Sequence, residues 1–349
     1  MGDNGEYAVG SVWFYDPNKI APIVFAAVFG ASGLVHAWQC YRYKCWKLTG
    51  WAVAGAAAYC GSFVARAFGA ADYKDLTAYV VHFNFVFAAP PLFELLNYGV
   101  LARVAYYLPY HCPIHPGRLK TTFTTLATII EVLGGYGAYY ASKRNEPEGE
   151  QAIGRGCLLA SLILQTMLIA VFLGLTSVFH ARVRRARSAR GSGPSSVIWV
   201  LYASSVLILA RTVFRVVDVA NLAAFDPGRD GFDPSSVPAV VRFEWPFYVF
   251  EASAMLVNQL MLHAAHPRRR LPESNAVYLA QDGVTELEGP GFRDDRNWCL
   301  ILMDPLDFIG LFKRTDKSME FWQNNGFSEL GENVGGRPAR VQHRQRRRR

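Results

Sequence analysis

Cysteine is scarce in this chain and badly placed for cross-linking. The six cysteines are Cys40, Cys45, Cys60, Cys112, Cys157 and Cys299. Only Cys157 lies near a connection that the charge pattern assigns to the outside, so no outer disulfide framework is available. A phosphate-cradling G-x-x-x-x-G-K-[ST] loop is missing, which excludes transport driven by an ATPase of the chain's own. The last long apolar run has no lysine, which excludes a retinal Schiff base. Two receptor hallmarks are missing as well, an acid-Arg-aromatic triplet closing the third apolar run and Asn-Pro-x-x-Tyr in the seventh. The chain reads Leu101-Ala102-Arg103-Val104 and Asn258-Gln259-Leu260-Met261 at those places. No two histidines are adjacent. His111-x3-His115 and His263-x2-His266 do have spacings found in membrane di-iron histidine boxes, and converging imidazoles bind iron or zinc. Such boxes include an adjacent pair, however, and His115 and His266 each precede a proline. Histidine-box lipid oxidation is therefore the lesser reading, and a non-enzymatic protein without a cofactor is the main one.

What the chain has is apolar length. Of 349 residues, 51% are hydrophobic, with a formal charge of +8. The apolar residues gather in runs of about 20, the length that crosses a bilayer as a helix. The runs are Ile20–Gln39, Leu48–Phe68, Ala78–Leu101, Thr121–Tyr140, Leu158–Phe179, Ser196–Val217 and Val240–Leu262. The expected fold is all-α, a polytopic membrane protein of seven helices in a domain over residues 20–272. Residues 1–19 lack the basic start of a cleavable signal, so the first run reads as an uncleaved insertion signal. The connections 41–47, 102–120 and 180–196, with residues 263–272 after the seventh run, carry many Lys and Arg and no Asp or Glu. The acidic residues fall in the N-terminus and the other three connections. This bias places the N-terminus outside and the C-terminus in the cytoplasm.

Charges inside the apolar runs point to function, because each costs about 2.5–3.5 kcal/mol on insertion scales at the bilayer centre. Arg211, Arg215 and Asp218 stand at i, i+4 and i+7 on one face of the sixth run. Glu244, Glu251 and Asn258 stand seven apart in the seventh, and a short connection makes the two runs antiparallel neighbours. At about 1.5 Å per residue, Arg211 falls between Glu251 and Glu244 in depth. The expected pairs are Arg211 with Glu244 or Glu251, and Arg215 with Glu244. Glu131 lies near the middle of the fourth run, and Glu94 follows the Pro90-Pro91 interruption of the third. Prolines there free backbone carbonyls, which membranes tolerate only against protein or a cavity. These residues form the candidate substrate or transport site; a register-fixing role is the structural alternative. The second run is rich in small residues, which marks it as the most buried helix. Arg66 near its end reads as an outer anchor that snorkels to water.

After Pro272 the chain turns polar. Residues 273–349 read as a cytoplasmic tail, largely disordered, with one short apolar island over 298–312 and a basic end, Arg344 to Arg349. Such an end favours anionic lipid headgroups; nucleic acid is not an expected partner.

Three stretches carry a resemblance: Arg211-Thr-Val-Phe-Arg215-Val-Val-Asp218, Glu244-Trp-Pro-Phe-Tyr248-Val-Phe-Glu251, and Pro90-Pro91-Leu92-Phe93-Glu94. Together they resemble the fungal lipid-translocating exporters named for resistance to aminocholesterol, over about residues 15–272. The resemblance implies seven spans, a plasma-membrane or endomembrane location, and export of amphipathic lipids such as sphingoid bases or sterol-like molecules. Membrane lipids and amphipathic small molecules are thus the implied partners. A seven-helix sensor that acts on lipid asymmetry through cytoplasmic partners is the alternative.

Overall fold

The computed structural model describes residues 6–143, 147–185, 192–222, 225, 233–281, 285–289, 296–304, 309 and 322. The polybasic end, Arg344 to Arg349, lies outside these residues.

Six long helices carry the apolar runs: α1 (Ala21–Tyr43), α2 (Trp46–Ala71), α3 (Leu76–Tyr107), α4 (Pro116–Ser142), α5 (Glu148–Arg185) and α6 (Ser192–Leu222). The last run is built differently. A short α7 (Ala239–Arg242) precedes a π-helical segment, Phe247–Ser253, which passes into α8 (Ala254–Ala264). The molecule is an all-α polytopic membrane protein. Among the described residues, five helices, α1, α2, α3, α5 and α6, are long and apolar enough to cross a bilayer. Large apolar side chains such as Leu34, Trp38, Met167 and Val171 point outward, as a lipid-facing surface requires.

The ends of α1 follow from local chemistry. Pro22 occupies its first turn, where the missing N–H is unneeded. Lys44, in the left-handed region at φ 49°, stops the helix, its N–H turning back to the carbonyls of Cys40 and Tyr41. One expectation about packing is overturned. The small residues of α2 mark it as the most buried helix, but 44% of its most apolar stretch is buried against 78% for α3. Small residues permit close approach on one side only, and the rest of α2 stays open.

The chain divides into two compact units, and α3, α4, α5 and α6 contribute to both. The first comprises Met1–Leu96, Ala127–Ala170 and Ala203–Ala264. Its core holds a stack of rings, Phe29 on Tyr59 at 4.7 Å and Phe25 on Phe63 at 5.2 Å between centroids. The N-terminal residues Trp13, Phe14 and Tyr15 are buried in this unit. Helices α4 and α5 touch backbone to backbone at Gly137 and Gly154. A Cβ on Gly137 would meet the Leu158 nitrogen at 2.4 Å, and one on Gly154 the Ala141 nitrogen at 2.7 Å.

The second unit comprises Asn97–Leu126, Val171–Tyr202 and Ala265–Arg349. Here the segment after Pro272 acquires structure that its composition does not announce. Strands β1 (Val277–Leu279) and β2 (Glu286–Glu288) pair antiparallel, Tyr278 opposite Leu287. Tyr278 and Trp322 bury against Tyr106 of α3, with Tyr110 and Leu287 beside them. Tyr107 Oη donates to Glu286 at 3.0 Å, Tyr110 Oη to the Trp322 carbonyl at 2.9 Å, and Arg103 to the carbonyls of Pro272 and Ser274. The start of the apolar island forms a short helix, α9 (Trp298–Met303).

Candidate functional site

All eight candidate site residues, Glu94, Glu131, Arg211, Arg215, Asp218, Glu244, Glu251 and Asn258, fall in the first unit. They do not form one site.

Glu251, fully buried, is the hub of the first group. Its Oε2 accepts from Arg211 Nε and Arg215 Nε, both at 2.7 Å, and its Oε1 from Tyr59 Oη at 2.7 Å. Arg215 also pairs with Asp218 at 2.8 Å. The helix positions behind this are those read from the spacing: Arg211, Arg215 and Asp218 share a face of α6. Glu251 itself lies in the π-helical segment, a widened turn often met at functional sites.

A second link follows from proline chemistry. In an α-helix the N–H of residue i bonds the carbonyl of i−4. Pro90 has no N–H, so the Val86 carbonyl is left without its helical donor. Arg211 Nη2 supplies one at 2.9 Å. The proline interruption and the buried arginine, on different helices, therefore satisfy each other.

Glu244 belongs to a separate group, which corrects the expected pairing with Arg211 or Arg215. Its Oε1 accepts from Arg66 Nη2 at 2.6 Å, and its Oε2 from the Asn18 N–H at 2.9 Å. Nor is Arg66 a snorkelling anchor: it is 2% exposed. Its guanidinium carbon sits 4.6 Å from the Trp13 ring and 4.4 Å from the Phe247 ring. It donates to Tyr15 Oη at 3.0 Å and Tyr248 Oη at 3.3 Å, and contacts His82 Nε2 at 3.2 Å. Burial and the Glu244 carboxylate push the Tyr15 phenol well above its ordinary range, and the Arg66 cation only partly offsets them. Tyr15 thus stays a neutral donor and acceptor. Spacing could not have found Arg66, because its partner lies far along the chain. The available signal was an arginine among small residues with an aromatic run, Trp13-Phe14-Tyr15, upstream.

Glu94 and Glu131 make a third group. Gln165 Nε2 donates to Glu94 Oε1 at 2.7 Å and lies 3.4 Å from Glu131 Oε1. Glu131 has no ion pair among the described residues. It lines a cavity of about 430 Å³ with Arg211, Gln165 and Asn84, the remaining wall being mostly apolar residues of α3, α4 and α5. This is within the size range of small-molecule sites. Ala88 on α3 and Thr128, Val132 and Gly135 on α4 line the cavity and are themselves exposed. The mouth therefore opens between α3 and α4, sideways, onto apolar surface.

Asn258, expected on the acidic stripe, is fully buried, and neither its amide nor that of the adjacent Gln259 makes a hydrogen bond among the described residues. The histidines go to separate tasks. His263 contacts Ser32 Oγ at 2.7 Å and stacks on His36 at 3.6 Å. His266 accepts the Arg268 N–H at 3.2 Å, and His115 stacks on Trp322.

A family model described as RTA1 like protein matches residues 52–274. A lipid-translocating exporter-like protein RTA1 of Leptosphaeria maculans is 36% identical, the match covering 94% of this chain and 66% of that relative. A protein of the same name from Ajellomyces capsulatus is 29% identical over 73% of this chain and 80% of its own length. A probable lipid transporter atnI of Emericella nidulans is 25% identical over 75% of this chain and 69% of its own. No solved structure matches.

Proposed function

This chain belongs to the RTA1-like protein family, and we propose that it moves amphipathic, lipid-like molecules between the leaflets of its membrane. The cavity at Glu131 is the proposed holding site, and a long-chain amine of the sphingoid-base type is the proposed substrate class. Seven spans, with the N-terminus outside and the C-terminus in the cytoplasm, complete the reading, and the plasma membrane is the proposed location.

One observation carries it: a carboxylate with no ion pair among the described residues faces a mostly apolar cavity that opens sideways onto apolar surface. A lipid entering from the bilayer would meet apolar wall along its chain and find the carboxylate at its head. A charged carboxylate in such surroundings is unfavourable unless a cation joins it, so an ammonium head group gains what a neutral head group does not. The printed names of the relatives, which concern lipid translocation and lipid transport, support the same reading.

The test uses purified full-length protein in liposomes carrying a fluorescent long-chain amine in one leaflet. The amine should cross in proportion to protein, while its N-acylated, uncharged counterpart crosses at least about tenfold more slowly. Binding without crossing would favour a sensor that works through cytoplasmic partners. No preference for the amine over the N-acyl form would overturn the assignment of Glu131.

A further inference from the structure

We propose that the first unit contains a second site, for a small oxyanion, between the N-terminal segment and α6. The site is a cavity of about 70 Å³ lined by Trp13, Arg66, His82, Arg215 and Asp218, among others. One water needs about 10–15 Å³ of such space, so the cavity has room for several waters or for one phosphate-sized group. It shares no lining residue with the cavity at Glu131.

The polar atoms without partners determine what fits. Trp13 Nε1 and Arg215 Nη2 are buried and make no hydrogen bond among the described residues. Their residues are 7% and 4% exposed. Both atoms are donors, and no orphan acceptor belongs to this cavity among the described residues. Buried donors are nearly always satisfied in native proteins. A ligand with acceptors alone answers both at once, and a guanidinium is the side chain best shaped to hold an oxyanion.

The surrounding charges balance, so the unpartnered donors decide the ligand. Two cations, Arg66 and Arg215, line the cavity against one carboxylate, Asp218, which is engaged by Arg215 Nη1 at 2.8 Å. Glu244 and Glu251 do not line the cavity, but they pair with these same cations, Glu244 with Arg66 and Glu251 with Arg215 and Arg211, so the two unpartnered donors, not a surplus of positive charge, call for an acceptor. The nearby histidine adds no demand for an acceptor, since His82 Nδ1 contacts Ser62 and Nε2 contacts Arg66. The ligand is therefore a phosphate or sulfate group, free in solution or carried as a phosphate monoester on a head group. This site stands whether or not the cavity at Glu131 carries amines.

The experiment is equilibrium binding of radiolabelled inorganic phosphate to purified full-length protein in detergent, at constant ionic strength with gluconate as the balancing anion. Saturable binding near one per chain is expected. Trp13→Phe keeps a ring over Arg66 but removes the indole N–H; Arg215→Lys keeps a cation beside Glu251 and Asp218 but removes Nη2. Whichever of these folds should bind phosphate at least about tenfold more weakly. Glycerol phosphate as competitor separates the sources. Competition shows that the site admits a monoester head group, and its absence with phosphate still bound shows a free-anion site. No saturable binding, or unchanged binding in both variants, would overturn the proposal and leave the cavity to water.

Discussion

Two polar clusters in the first unit draw on the same residue types and end in opposite states. Around Glu251 every carboxylate has its cation: Arg211 and Arg215 on Glu251, Arg215 on Asp218, and further out Arg66 on Glu244. Around Gln165 two glutamates share one amide, and Glu131 has no ion pair among the described residues. The first arrangement is closed, its charges satisfied by the fold itself. The second is open, its charge satisfied only by something that arrives. The count of partners separates them.

The comparison breaks most visibly at Glu251. Glu251→Ala leaves two buried guanidiniums without their acceptor, and breaking such a pair costs about 3–5 kcal/mol. The expected result is loss of most monodisperse protein after extraction, read by size-exclusion chromatography. Glu251→Gln should lower abundance and transport together. Gly137→Ala comes next: its Cβ would meet backbone rather than a side chain that can turn away. A loss of about 1–3 kcal/mol is expected from such overpacking, seen as a lower melting temperature. Tyr107→Phe, in the second unit, removes the half-buried hydrogen bond to Glu286 and should cost about 1 kcal/mol. Truncation before Tyr278 should do more than that point change, because it uncovers Tyr106 and deletes the strand pair. Smallest in stability is Glu131→Gln, within about 0.5 kcal/mol of the parent or slightly better, since no ion pair is lost.

The sequence made the helices legible because hydropathy is local: a run of apolar residues needs no knowledge of its neighbours. It also made the α6 face legible, since Arg211, Arg215 and Asp218 are bound by helical periodicity. Partners across the fold were not legible. Arg66 meets Glu244, Tyr59 meets Glu251, and Arg211 meets the carbonyl freed by Pro90, and no spacing rule joins residues so far apart. The π-helical segment at Phe247–Ser253 shifted the register that a seven-residue stripe assumes. Gln165 looked like one polar residue in an apolar helix, and only the fold reveals that it bridges two acids. The strands after Pro272 were hidden for a different reason: three-residue strands held by aromatic contacts to α3 leave no hydropathy pattern of their own.

The account turns on Glu131 being an open charge and Glu251 a closed one. The most direct measurement reconstitutes Glu131→Gln and the parent protein at matched folded amounts in liposomes and follows movement of the long-chain amine. The account predicts transport reduced at least about tenfold in Glu131→Gln, with an unchanged melting temperature. Transport at the parent rate in that variant would contradict it.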